Sequence, residues 1–463
     1  MVMKPSTYRK YLLVLLAVLY AFNLTDASAL GMALQDIKRS LHLSDTQLGV
    51  MNGIAFSAFY STFGVALGRW ADWGNRVTIL SLTRALWGVF VILTGRAHSF
   101  IQLLLVRMGA GVGESGCMPV AFSFISEFFS RVERPQALAL FFFGGAFSTL
   151  LGNLGAGWLI QLYGWRVMFA VMGLPGLLLA LITWLTVKEP RTAVGAGADA
   201  KYSNDRGRSA DPAVAEDVAD GVPAHTSVPP LWEVTKGLWL NASFRNVALA
   251  LVVAYFFSAG LTQWQPAFYL RSYGVKAGTL GTWLAFAYSI PGIIGIPLGG
   301  FIASRWAGGQ ERLQLLACAA LYGTAGVITP FVYLTRDYHL SLVLFGLSTL
   351  PFNLMSGPLM AVMAAVLRPQ TRALSLTALF FFANLVGSGL GPLLSGVVSD
   401  ALRPLFGIDS LRYALVLMAP WYLWCGWHVW RASRTVVRDI EAAREQSDEG
   451  SGAAFAHELG VGA

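Results

Sequence analysis

About twelve apolar stretches follow one another along this chain, each able to supply the roughly 20 residues a helix needs to cross about 30 Å of hydrocarbon. No other feature restricts the fold so strongly. In hydrocarbon only a helix or a closed barrel satisfies its own backbone, and stretches of this length predict helices. The expected spans are 11–33, 48–71, 77–97, 100–128, 137–162 and 165–187, then 246–270, 278–303, 312–334, 338–367, 373–399 and 411–432. A composition 55% hydrophobic and 13% charged over 463 residues agrees with a polytopic all-α membrane protein.

The basic start Lys4, Arg9 and Lys10, followed by an apolar run and Ala27-Ser28-Ala29, has the outline of a cleavable leader. The run is long enough to span, however, and its loss would leave eleven helices, so it is read as span one. Lys and Arg favour the connections on the N-terminal side by about two to one, which predicts cytoplasmic termini. The net charge of +8 then reflects topology and anionic lipid heads more than nucleic acid.

Between about 188 and 230 apolar periodicity gives way to Ala, Gly, Asp, Ser, Pro and Arg, the composition of a flexible linker. The chain therefore divides into a first six-helix half (1–190), a cytoplasmic linker (191–230), a second six-helix half (231–436) and a cytoplasmic tail (437–463). The halves echo each other. Arg134-Pro135-Gln136-Ala137-Leu138 opens span five, and Arg368-Pro369-Gln370 with Arg372-Ala373-Leu374 opens span eleven. Two parallel six-helix repeats around an axis along the membrane normal are the layout that the major facilitator superfamily uses, and the chain resembles it.

Gly68-Arg69-Trp70-Ala71-Asp72-Trp73-Gly74-Asn75-Arg76, between spans two and three, is similar to that superfamily's Gly-x-x-x-Asp-x-x-Gly-x-Arg loop motif. Gly68 would permit close helix approach, Gly74 belongs to the turn, and Asp72 and Arg76 would form a charge cluster at the cytoplasmic edge with Glu127. Such a cluster would latch the two halves in one state. The plainer reading is a solvated tight turn. In the second half the equivalent stretch, Gly299 to Arg305, lacks the acid.

Asp26 and Glu114 are the acids that fall well inside apolar spans, and Arg107 is the cation read beside them. A charge near the bilayer centre costs at least about 2.5–3.5 kcal/mol, so such residues face cavities, pair, and mark ion or proton pathways. Arg107, Gly111 and Glu114 are spaced to share one helix face. At 1.5 Å per residue Asp26 lies about 22 Å in from the cytoplasm, at a depth similar to Arg107, with Glu114 about 10 Å nearer the cytoplasm. One Arg shared by two acids leaves one proton exchangeable. The alternative is a structural Asp26–Arg107 pair with Glu114 permanently neutral.

Through the first half the resemblance narrows to the Spinster family, carried by Tyr20-Ala21-Phe22-Asn23 with Asp26, Leu43-Ser44-Asp45-Thr46-Gln47-Leu48-Gly49, the Arg107 to Ser115 run, Gly164-Trp165-Arg166 and Lys188-Glu189-Pro190. It implies a secondary transporter in which the span-one acid, here Asp26, and Glu114 take part in proton coupling. For eukaryotic members it implies lysophospholipid or sphingosine-phosphate substrates. Where an Asp-Arg pair is usual in span one, Ala27 stands here in place of the Arg.

Asn23, Arg107, Gln263, Trp264, Gln265, Asn353 and Asn384 are candidates to line a substrate cavity, though polar residues in spans more often tie helices together. Cys117, Cys318 and Cys425 are scattered and the His residues lack metal-ligand spacing, so no metal site is expected. A Gly-Lys-Ser/Thr phosphate loop is absent, which argues against ATP drive and leaves the proton gradient as driving force, with no cofactor. The expectation is a monomeric cell-membrane transporter, not an enzyme. Its substrate would be amphipathic or lipid-like, with small organic anions or exported drugs and metabolites as the alternatives.

Overall fold

The computed structural model describes residues 5–130, 133–189, 241–367 and 372–442, together with 239 and 445. The expected linker at 191–230 and the end of the tail lie outside these. Among the described residues every regular element is helical. The first half contains α1 (Pro5–Leu41), α2 (Asp45–Val50), a π-helical turn at Met51–Ala55, α3 (Phe56–Trp73), α4 (Arg76–Thr94), α5 (Phe100–Ser115), α6 (Cys117–Phe128) and α7 (Arg134–Thr186). The second contains α8 (Ala242–Ser272), α9 (Ala277–Trp306), α10 (Glu311–Leu334), α11 (Tyr338–Val366), α12 (Arg372–Phe382), a π-helical turn at Ala383–Ser388, α13 (Gly389–Phe406), α14 (Ser410–Met418) and α15 (Trp421–Ser433).

Helix boundaries follow local chemistry. Ser44 and Gln47 form a reciprocal capping box at the start of α2, while Asn75, Ser99, Asn241 and Asp337 cap α4, α5, α8 and α11 through their side chains. Nine continuous helical segments among the described residues are long and apolar enough to cross a membrane. Two of them, of 51 and 56 residues, are far longer than one crossing requires. In α7 the backbone leaves helical geometry at Gly164 (φ 81°, ψ 164°), a left-handed conformation suited to glycine, and the chain reverses there. The span expected at 100–128 is present but broken at Gly116 between α5 and α6.

The halves meet through three helix pairs, α1 with α8, α7 with α9, and the start of α2–α3 with α13. Small residues bring the backbones together. A Cβ on Gly49 would lie 2.7 Å from the Pro392 carbonyl oxygen and one on Gly157 2.6 Å from that of Ala277, while Gly53 sits directly on the Gly389 carbonyl. Polar contacts follow the same seam. Asp45 accepts two bonds from Arg271 (2.5 and 2.7 Å), one from Lys38 (2.6 Å) and one from Ser399 (2.7 Å). In return Asp400 accepts the backbone N–H groups of Asp45 and Thr46 at the α2 N-terminus, where the helix dipole favours an anion. Asn52 donates to Gln263, Gln161 accepts from Gly278, and Trp158 donates to Thr282.

All these inter-half bonds between described residues lie near the α1–α2, α8–α9 and α13–α14 connections, opposite the chain ends. On the side of the chain ends, the ion pairs between described residues stay within a half: Arg9 with Glu133, and Arg76 with Glu127 and Glu189. The molecule is thus sealed on the far face. Beyond α15 the chain continues as a helical turn over 436–442, where Asp439 accepts the Ser243 N–H near the start of α8.

Candidate functional site

The site is built around the glycines of α5. A Cβ on Gly111 would lie 2.8 Å from the Phe56 carbonyl oxygen of α3, and one on Gly113 would collide with the Trp87 backbone of α4. Without side chains at these positions α5 wedges between α3 and α4. Arg107, on the face of Gly111, comes to lie beneath the Phe56 ring at 5.0 Å. Phe56 directly follows the π-helical turn in this span, a feature that often marks functional positions.

From there Arg107 Nη1 donates to Asp26 Oδ2 of α1 at 2.5 Å. Both are almost inaccessible, Asp26 at 3% and Arg107 at 2% exposure. The pair is incompletely satisfied: Asp26 Oδ1 and Arg107 Nε have no hydrogen-bond partner among the described residues. Charge-assisted bonds of this kind are short and strong, and an unmatched buried polar atom is costly, so the pair is held together yet primed to exchange partners.

Glu114 lies in the last turn of α5, two residues before the break at Gly116, and is 7% exposed. Among the described residues it forms no ion pair. Its electrostatic neighbours are Asp26, Arg107 and Arg84, with Tyr20, Tyr60 and Cys117 also near. Tyr20 in turn interacts electrostatically with Tyr255 of α8 in the second half.

The sequence reading gave the two acids one cation, and the structure adds a second. Arg84, in the middle of α4 and 1% exposed, reaches Asn23 Oδ1 through Nη2 at 2.5 Å and stacks on Trp87 at 4.8 Å. Two acids therefore share two guanidinium groups. Arg84 was legible by the rule that singled out Arg107, since it lies well inside an apolar span.

The other cavity candidates are scattered. Asn23 is committed to Arg84. Trp264 is fully buried and donates to the Pro392 carbonyl, and Gln265, also fully buried, accepts from Tyr333. Asn353 and Asn384 each donate back to their own helix. Gln263 alone of these candidates borders the described cavity between the halves, about 120 Å³, with Ser28, Thr149, Asn153, Thr262 and Tyr288. Ala27 lines it too, so the position where the family's Arg is usual faces this cavity.

At the edge near the chain ends, Arg76 pairs with Glu127 at 2.5 Å and with Glu189 at 3.3 Å, donates to Ser123, and gives its backbone N–H to Glu189. All of these partners belong to the first half. Among the described side chains the Arg76–Glu127 pair expected at this edge is present and lies within one half, and Glu189 is a member that motif reading missed. Gly68 stands 3.7 Å, by its absent Cβ, from Pro119, and Gly74 ends α3 against Trp70. The Asp72 side chain lies outside the described residues. No group of three or more His, Cys, Asp or Glu suited to a metal occurs among the described residues.

Comparison with known proteins agrees with this arrangement. An MFS-type efflux pump of Mycolicibacterium smegmatis is 29% identical over 436 residues, covering 93% of this chain and 94% of its own. Protein spinster homolog 1 of Rattus norvegicus is 25% identical over 441 residues, covering 88% and 77%. A bacterial homologue of the human lysosomal transporter Spinster, solved inward-facing and unoccupied, superposes with a TM-score of 0.76 at 25% identity over 93% of this chain and 98% of its own. With the profile of the Major Facilitator Superfamily matching residues 16–392, the chain belongs to that superfamily and within it is similar to the Spinster family.

Proposed function

We propose that this protein is a proton-coupled secondary active transporter working by alternating access, with twelve membrane helices in two halves of six and both termini cytoplasmic. The division of α7 at Gly164 into two crossings and the pairing of α5 with α6 into one support that count. Sealed on the far face, the molecule then stands in its inward-facing state. The observation that carries the function is the Asp26–Arg107 pair with Glu114 beside it, buried in a span and left with unmatched polar atoms. Ionisable groups kept there at such cost are retained for moving protons.

Protonation at this cluster changes the charge between α1 and α5 and biases the two arrangements of the halves. The substrate is an amphipathic or lipid-like molecule, consistent with the hydroxyl and amide lining of the inter-half cavity. The efflux-pump relative favours a second reading, a proton-linked exporter of drugs or metabolites. Purified protein in liposomes, given an imposed pH gradient and offered lysolipids, organic acids and drug-like cations in turn, tests both. Flux by Asp26→Asn and Glu114→Gln that follows the gradient as the unaltered protein does would refute the proton assignment.

A further inference from the structure

Arg84 is a charged residue for which the motifs give no task. It is 1% exposed, and its hydrogen-bond partners among the described residues, Asn23 Oδ1 and the Cys117 thiol, are both neutral. A guanidinium does not give up its proton, so this charge is permanent. No carboxylate among the described residues lies within ion-pair distance of it, and the acid with which it interacts electrostatically is Glu114. Buried charges need a counter-charge, and Asp26 is already engaged by Arg107.

We propose that Arg84 is the anion-binding cation of the transport site, and that a proton on Glu114 and an oxyanion on Arg84, phosphate or carboxylate, bind together. This rests on the proposed transport function and specifies its substrate as anionic. The charges dictate the coupling. With Glu114 ionised, two acids balance two guanidiniums. Protonating Glu114 leaves one positive charge in excess, on the cation whose hydrogen-bond partners are neutral. An entering oxyanion restores neutrality and gives Arg84 an anionic acceptor.

The charged and titratable groups around this centre are Asp26 and Tyr20 from α1, Tyr60 from α3, Arg107 from α5 and Cys117 from α6. Asp26 and Arg107 cancel. The phenols and the thiol carry no charge when protonated. Glu114 is thus the group whose ionisation decides whether Arg84 is compensated.

The test uses the full-length protein in nanodiscs of neutral lipid, titrated calorimetrically in buffers of different ionisation enthalpy so that protons taken up on binding are counted. The probes are oleoyl lysophosphatidate, oleate and zwitterionic oleoyl lysophosphatidylcholine. The unaltered protein is expected to bind an anionic probe with uptake of about one proton; the phosphate and carboxylate probes show which group is preferred. Arg84→Gln should weaken that binding by at least about tenfold, the factor set by losing one charge-assisted contact. Arg84→Lys should retain the proton uptake. Glu114→Gln, a mimic of the protonated state, should bind anions at least as tightly as the unaltered protein with no proton uptake, a result that misfolding cannot imitate. Unchanged anion affinity in Arg84→Gln, or proton uptake persisting in Glu114→Gln, overturns the proposal. Gradient-driven flux without proton-linked anion binding overturns the Arg84 role alone. Proton-linked binding without flux overturns the transport reading and leaves this one standing.

Discussion

Replacing Asp45 with alanine removes the residue through which the far face is tied shut. The Asp45 side chain is 1% exposed and takes two bonds from Arg271 and one from Ser399 across the seam, with a fourth from Lys38 of its own half. In its absence Lys38 and Arg271 would face each other with Asp400, which also acts on Lys38, as the remaining nearby acid. Breaking a buried pair from one side costs about 3–5 kcal/mol. Opening the face hydrates both cations and recovers part of that, so about 2–3 kcal/mol should appear in the equilibrium between closed and open faces. At 1.36 kcal/mol per factor of ten, this is about 30- to 160-fold. A far-side-open state populated at about 1% would rise to roughly 25–60%. Spin labels at His42 and Ile408, exposed on opposite halves of this face, allow pulsed dipolar spectroscopy to read the two distances once the native cysteines are replaced. Distance distributions identical in Asp45→Ala and the parent protein would refute the argument that this charge cluster holds the face closed.

Further outcomes follow from the same geometry. Asp26→Asn strands Arg107 in the interior and should cost about 3–5 kcal/mol of stability, seen as a lower melting temperature, with part of the loss recovered in the double variant with Arg107→Gln. Glu114→Gln, which mimics the protonated acid and breaks no ion pair among the described residues, should melt near the parent temperature at a pH where Glu114 is protonated, yet lose gradient-driven flux; preserved flux would count against its coupling role. Gly53→Ala forces a methyl onto the Gly389 carbonyl and should raise far-face labelling by thiol reagents, whereas Gly64→Ala meets only Ser115 Cβ at 3.7 Å and should leave labelling as it is. Arg76→Ala removes the side-chain contacts to Glu127, Ser123 and Glu189, keeps the backbone N–H bond to Glu189, and should destabilise the first half by about 3 kcal/mol, with no change in the far-face distances.

Several features needed no structure to be seen. The apolar spans were plain because hydrocarbon leaves the backbone no alternative to helix, and Asp26, Arg107 and Glu114 stood out because charge in such a span is expensive. Similar depth on two helices correctly anticipated the contact between Asp26 and Arg107. Arg84 was equally visible, but no acid shares its span, and linear spacing gave no hint that α4 lies against Glu114 and Asn23. The amide–indole run at Gln263, Trp264 and Gln265 shows the limit: at 100° per residue three neighbours face three directions, and they meet a cavity, a backbone carbonyl and a tyrosine respectively.

The sequence by itself therefore determined an all-helical membrane chain of the major facilitator type and the identity of its costly charges, because burial in hydrocarbon is a property of each span alone. Tertiary structure decided which charge meets which, that a second guanidinium joins the acids, that the Arg76 clasp stays within one half, and that the far face is the one sealed. Those outcomes depend on how closely glycines let neighbouring backbones approach and on how each helix is turned, and both are fixed only when the helices pack together.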